Sequence, residues 1–324
     1  MKKYGHAVRI GEVFVSYSDI ALKVLAAKDC GIIRSNAHFW RDFSDRSLFE
    51  EELLKHPGFE IAYEKNLCEY GSLESEIGVL SAFDGQFPRI NPKVKNNSEK
   101  PCLLFYRGDY SLLGDLNKNV AVIGMREPDE DIVQRGAAFV RKIVAGKMVI
   151  VSGLALGCDT MAHKACLEEG GKTIAILPTR INDIYPADNR RLAEDIVSKG
   201  GLLLSEYHRE PKGKEESMGR FVERDRLQAM FAKAVLLIAS YRKSDGESGS
   251  RHAMEEAGRY GVARYVMYDP ETDSDNIKFG LNKDLSEHGL PVEAKVLNSE
   301  AVSKIIAHRD PSLIKKGLSQ GRFF

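Results

Sequence analysis

From residue 101 to about residue 270, short apolar runs alternate with longer segments of helical period. Seven runs read as strands: 102–106 (CLLFY), 120–124 (VAVIG), 148–152 (MVIVS), 173–177 (TIAIL), 202–206 (LLLSE), 234–239 (AVLLIA) and 263–268 (ARYVMY). They are nearly continuous in Val, Ile and Leu, the signature of strands covered on both faces. The intervening segments, at about 130–145, 159–169, 188–198, 220–232 and 250–260, supply the helical crossovers that parallel neighbours require. The pattern predicts an α/β fold with a doubly wound, mostly parallel sheet.

Outside this region the grammar differs. The stretches DIALKVLAAKD and SLFEEELLKHPG predict helices within a small, mostly helical module over 1–83. The Pro-, Gly- and Lys-rich text from 84 to 101 (DGQFPRINPKVKNNSEKP) predicts an exposed linker. The sheet domain is expected over 84–270, and 271–324 reads as a short C-terminal extension of undefined fold.

Composition adds exclusions. Lys plus Arg and Asp plus Glu both number 47, so no global basic charge draws the chain to nucleic acid, although a local patch is not excluded. The five cysteines form no CxxC pair, which argues against a zinc site or a disulfide frame and for a reducing compartment. No 18-residue apolar run marks a membrane span, and the first residues lack a signal-peptide core. A cytoplasmic protein with no membrane partner, no metal and no cofactor is expected.

In such sheets ligands gather beyond the carboxyl ends of the strands, and three loops there carry unusual chemistry. In GMREPDED, Gly124 ends a strand and lets backbone approach a ligand, Arg126 offers a fork of donors, and Asp129 is placed to cap the next helix. In SGLALGCD, Ser152, Gly153 and Gly157 keep the strand exit free of bulk. Asp159 is placed as an N-cap and His163 four residues on as its helical neighbour, both as positioning residues. In SGSRHAMEEAG, Gly249 and Ser250 present donors at a helix start with Ser248 or Ser250 as the cap, and Arg251 faces either a phosphate or water. None of these is a GxGxxG or a GK[ST] loop, which argues against dinucleotide binding and P-loop hydrolysis. Further on, Arg220, Arg224 and Arg226 stand within seven positions among interleaved acids. No spacing specifies a nucleophile, so a non-enzymatic role is expected.

Taken in order, these segments resemble the DNA-processing protein A (DprA/Smf) family. VAVIGMRE is similar to its Gly-Ser-Arg loop, with Met125 in place of the serine, and SGLALGCDTMAH to its SGLARGID..AH motif. IYPADNRRL matches IYPxxN, with Tyr185, Asn189 and Arg190 kept. GRFVERDRLQAM matches the segment with two arginines, with Asp225 in place of an asparagine. The resemblance covers about 84–270 and implies an extended Rossmann-like domain that binds and protects single-stranded DNA, assists loading of a RecA-type recombinase in DNA uptake or recombination, and forms a homodimer. It implies phosphate contacts from the loop amides, Met125 included, and from Arg126, with Arg220, Arg224 or Arg226 extending the track; Tyr185 either stacks on a base or fills the core edge. Leu156 and Ala187 stand where the family often has basic residues, and each lost phosphate contact weakens binding. Two other readings remain. One is a sensor of a nucleotide or nucleotide-derived signal in a defence system. The other is a nucleotide phosphoribohydrolase, whose PGGxGTxxE segment SDGESGSRHAMEE does not reproduce.

Overall fold

A computed structural model describes residues 18–71, 76–246, 249–287 and 294–313, and the backbone of 8–10 and 13–15. Strands β1 (Val8–Ile10) and β2 (Val13–Val15) form a separate antiparallel pair. Helices α1 (Asp19–Asp29), α2 (Asn36–Asp42), α3 (Arg46–Leu53) and α4 (Phe59–Tyr70) follow. The main sheet takes β3 (Gly78–Ser81), β4 (Leu103–Gly108), β5 (Asn119–Ile123), β6 (Val149–Ser152), β7 (Thr173–Leu177), β8 (Leu202–Ser205), β9 (Ala234–Leu237), β10 (Ala263–Val266) and β11 (Lys295–Val296). Between and after its strands run α5 (Glu130–Ala145), α6 (Cys158–Glu168), α7 (Arg190–Ser198), α8 (Lys214–Met230), α9 (Ser250–Arg259), α10 (Gly280–Glu287) and α11 (Ser299–Ala307).

The nine strands lie in the order β11-β10-β9-β5-β6-β7-β8-β4-β3. All neighbours are parallel from β11 to β8, while β4 and β3 add on antiparallel. This is the expected doubly wound, mostly parallel sheet. From β5 the chain steps outward through β6, β7 and β8, with α5, α6 and α7 packed side by side; it then returns through α8 to β9 and steps the other way, with α8 against α9. Neighbouring strands β5 and β9 therefore send their chains in opposite directions, and a crevice opens above their carboxyl ends.

The strands form where they do because both faces are covered. Every residue of β5 and β7 is buried. In α5 the apolar stripe Ile132, Val140 and Ile143 recurs at helical spacing and lies in the core. Asp129 caps that helix as expected, accepting from the Ile132 amide at 3.0 Å.

The N-terminal helices share one core with the sheet edge. Leu22, Leu25, Phe39 and Phe49 pack in the same cluster as Phe105 of β4, Leu177 of β7 and Leu203 of β8. Strand β3 pairs with β4 although it precedes residue 84, and β11 extends the sheet beyond 270. The stretch from 84 to 101 differs from the exposed linker expected of it. Phe87 and Val94 are buried in the main core, Asn91 Nδ2 donates to the Tyr260 carbonyl, and Trp40 Nε1 donates to the Lys100 carbonyl. Its Pro and Gly content marks irregular backbone, not exposure.

A polar clasp joins α1 to the sheet. Asp29 accepts from Asn66 Nδ2 at 3.0 Å, meets His208 Nε2 at 2.8 Å and pairs with Arg209. Burial alone raises this carboxyl, but the hydrogen bonds from His208 and Asn66 and the charges of His208 and Arg209 outweigh it and hold it at about 2. A depressed acid stabilises the fold above its unfolded value near 4, and that contribution is lost as pH falls through about 2. Asp29→Asn is thus expected to lower stability at pH 7 by about 1–2 kcal/mol. The gap to the parent should shrink as pH falls from about 4 to about 2 in urea titrations; a gap independent of pH would contradict the clasp.

Candidate nucleic-acid interface

Three loops meet above β5, β6 and β9, and backbone bonds staple them together. The Met125 amide donates to the Ala239 carbonyl at 2.8 Å, the Ile238 amide to Ile123 at 2.9 Å, and the Cys158 amide to Met125 at 3.0 Å. Gly157 brings two of these loops into close backbone contact. At φ +77 it lies so close to the Arg126 carbonyl that a Cβ would stand 2.4 Å from that oxygen. These contacts bring Gly124, Met125, Arg126 and Gly157 together, while Gly153 and Gly249, the latter next to Ser250, lie over the adjacent pair Arg224 and Asp225. Within this set Met125, Gly153 and Ser250 are buried, and only the Met125 backbone reaches the loops' meeting point. Ser250 is the first residue of α9, not its cap, and Ser248 lies outside the described residues.

Arg126 stands on the rim, exposed, with no hydrogen bond or ion pair to the described residues. Among the described residues the start of α9 at Gly249 has no side-chain cap, and a helix start of this kind favours an anion. The start of α5, by contrast, is filled by the Asp129 carboxylate, with Glu130 and Asp131 in the first turn. At α6 the Cys158 and Thr160 amides are already engaged by the Met125 and Ala155 carbonyls. The anion-attracting elements of the crevice are thus Arg126 and the α9 terminus. Arg251 is half-exposed and pairs through Nε with Glu255 at 2.7 Å.

Several residues expected to face a ligand instead build the floor. Ser152 is buried and its hydroxyl donates to the Val122 carbonyl at 2.7 Å. Asp159 does not cap α6; its Oδ2 accepts from the Gly153 and Ala155 amides at 3.1 and 3.3 Å and holds the loop. His163 makes no bond to Asp159. Its Nδ1 meets Thr173 Oγ1 at 2.7 Å, its Nε2 has no partner among the described residues, and burial with Arg224 nearby pulls its pKa down to about 3. It is a neutral core imidazole. Asn189 is buried too, and its amide donates to the Leu154 carbonyl and Thr160 Oγ1, both at 2.8 Å. Bracing that loop occupies the donors a phosphate would need.

The three clustered arginines are the largest departure. Arg220 is buried, paired with Glu216 at 2.6 Å, bonded to the Arg209 carbonyl and laid over the Tyr207 ring. Arg226 is buried, paired with Glu206 at 2.6 Å and bonded to the carbonyls of Glu99 and Glu223. Arg224 passes beneath Gly153, its Nη1 donating to the Ile176 carbonyl at 2.9 Å and its Nε meeting Asp225 Oδ1 at 3.1 Å. All three guanidinium groups are committed inside the protein, so none extends an anion track over the surface.

Arg224 sits between two buried acids. Burial pushes Asp225 up to about 7, Asp159 adds to that rise, and Arg224 opposes it. Asp159 is raised by burial as well, against the pull of Arg224 and the loop amides. Gly249 lies over Asp225, with Oδ2 3.4 Å from where a Cβ would be, so this acid lies directly under the α9 terminus. The Cys158 thiol is pushed up to about 12 by burial, which leaves it protonated at neutral pH. Among the described residues no group of three His, Cys, Asp or Glu is placed to hold a metal, and no helix is long and apolar enough to cross a membrane.

Beside the crevice, Arg190 opens α7, exposed and without a partner among the described residues. Arg191 and Lys164, which the sequence reading passed over, are equally free. Asn189 touches Thr160, and Lys164 follows Thr160 by one helical turn, so the three cations flank one seam between α6 and α7. The NRRL text held the signal for Arg191. Tyr185 is 48% exposed, its ring edge-on to Phe221 at 5.5 Å; it does not fill the core.

The family model for the DNA recombination-mediator protein A matches residues 78–298, from β3 through β11. The chain belongs to that family. Within the recombination-mediator family it is similar to the DNA processing protein DprA of Streptococcus pneumoniae, 38% identical over 161 residues, which are 49% of this chain and 54% of that one. It is also similar to the protein Smf of Synechocystis, 35% identical over 182 residues, 54% of this chain and 43% of the relative. These matches span about half the length of the curated relatives. Among solved structures, DprA of S. pneumoniae shares the fold with a TM-score of 0.67 at 24% identity, over 87% of this chain and 96% of that one. DNA processing protein A of Helicobacter pylori, described for its unique single-stranded DNA binding mode, aligns with a TM-score of 0.57 at 26% identity, over 72% of this chain and 95% of the other.

Proposed function

We propose that the chain binds single-stranded DNA without sequence preference and presents it for recombination. The observation that carries this reading is Arg126, an exposed guanidinium with no partner among the described residues, on a loop stapled to the carboxyl end of β9 at the switch point of the sheet. From there a strand follows the seam between α6 and α7, with phosphates on Arg190, Arg191 and Lys164. Tyr185 offers a ring face on which a base stacks, a contact every base can make. Binding of this kind needs no reacting group. Membership of the recombination-mediator family and the single-stranded DNA binding described for the H. pylori relative support the reading. On the same grounds we propose a cytoplasmic homodimer that hands its strand to a RecA-type recombinase in DNA uptake or processing.

The committed arginines set the strength of binding. With about four free cations on the track, the logarithm of affinity should fall against that of salt with a slope of about −3. Arg126→Ala is expected to weaken binding of a labelled oligonucleotide about tenfold and to flatten that slope by about 0.7, with the thermal midpoint unchanged. Fluorescence anisotropy over a salt series, with duplex and free nucleotides as competitors, measures both. Competition by mononucleotides as strong as by the strand would favour the compact nucleotide sensor instead.

A further inference from the structure

At the other end of the sheet, the amino ends of β9 and β10, the start of β11 and the last turn of α11 enclose an open pocket of about 470 Å³. Four of its lining residues are basic, Lys233, Lys295, Lys304 and His308, and none is acidic. Ala263, Ile305 and Tyr265 supply an apolar and aromatic wall. That volume falls within the range of small-ligand sites.

The charges differ in what they already do. Lys233 is buried; its Nζ donates to the carbonyls of His308 at 2.9 Å and Ile306 at 3.5 Å, at the carbonyl end of α11. Burial, with Arg309 nearby, pulls it down to about 8. This lysine therefore offsets the negative end of the helix dipole, which would otherwise repel an anion. Lys304 pairs with Glu300 at 2.6 Å on the solvent side and lies within electrostatic reach of Tyr265. Lys295 is exposed and has no partner among the described residues. The pocket thus joins Lys295, without a partner among the described residues, and the Glu300-paired Lys304 at its rim to an apolar wall.

We infer that this pocket binds a small phosphomonoester with a flat apolar body, of the size and chemistry of a nucleoside monophosphate. The phosphate takes Lys295 and Lys304, and the flat group lies against Ala263 and Ile305 beside Tyr265. The site lies at the amino ends of the strands and Arg126 beyond the carboxyl ends, so the two are separate and neither needs the other.

The test titrates the full chain with dAMP and with inorganic phosphate by calorimetry at low salt. One series uses the parent, a second Lys295→Ala/Lys304→Ala, and a third Arg126→Ala. Saturable dAMP binding that weakens at least tenfold in the double lysine variant and is unchanged in Arg126→Ala is the expected result. Phosphate binding more weakly than dAMP would assign part of the affinity to the apolar wall. No saturable dAMP binding to the parent would overturn the inference. So would loss in Arg126→Ala with retention in the lysine variant, because the nucleotide would then sit in the crevice. Circular dichroism of both variants guards against misfolding, and Ala263→Leu, which narrows the pocket without touching a charge, should also weaken dAMP.

Discussion

Gly153→Ala is expected to destabilise the protein by about 3 kcal/mol or more. A methyl group at this position would stand 1.6 Å from Arg224 Nη1 and 2.4 Å from its Cζ. A long side chain can usually swing aside, but this one is tied. Its guanidinium donates to the Ile176 carbonyl, pairs with Asp225 and supplies the positive charge that keeps two buried acids, Asp159 and Asp225, from facing each other uncompensated. Moving Arg224 leaves those acids buried without their cation, and breaking a buried pair from one side is the costly way to lose it. The loop suffers as well, because the Gly153 amide donates to Asp159. Guanidinium titration of purified protein reads the loss. Gly153→Ala with parental stability would show that Arg224 has another resting place. The same logic predicts that Arg224→Ala acts first on stability, separating it from Arg126→Ala, which acts on binding alone.

The strands were legible because burial on both faces leaves nothing but apolar residues, and runs such as TIAIL at 173–177 have no alternative reading. Helix α8 was half legible. Its apolar part was predicted from 220, but the helix begins at Lys214, because the first turns face solvent and carry no periodic apolar signal. The loops that meet at the switch point were legible from their small residues. The commitments of many of their polar side chains were not, since these depend on partners distant in sequence. Asn189 braces a carbonyl 35 residues upstream, Arg226 bonds a carbonyl 127 residues upstream, and Arg224 reaches one 48 residues upstream. Charge is written locally in a sequence, whereas neutralisation is a property of the fold. That is why three arginines that read as an anion track turned out to be the struts beneath one, and why the free cations Lys164 and Arg191 drew no notice.

Asp225 stands where the family's pattern has an asparagine, and this exchange predicts a pH dependence. Its carboxyl lies in the crevice floor under Gly249, against Arg224 on its own helix and with Asp159 on α6 across that arginine; His163, also on α6, is neutral near physiological pH. An acid whose folded value of about 7 exceeds its unfolded value near 4 favours the folded state most when both states are protonated, below about pH 4. That advantage is lost as pH rises from about 4 to about 7. For this group the loss is about 2–4 kcal/mol. Asp225→Asn removes the titration, so the variant should be the more stable protein at pH 8 and keep its stability across that window, apart from the smaller slope left by Asp159, which burial shifts in the same direction. Binding should follow the same proton. Above pH 7 the parent carries an extra negative charge below the α9 terminus, which costs an approaching phosphate about 1 kcal/mol. The parent should therefore bind an oligonucleotide several-fold more tightly at pH 6 than at pH 8, whereas Asp225→Asn should bind at both with the affinity the parent shows only at pH 6. Urea titrations and anisotropy at the two pH values check both halves. A parental pH slope in the asparagine variant would assign the titration to another group, and a flat profile in the parent would mean that Arg224 keeps Asp225 ionised throughout.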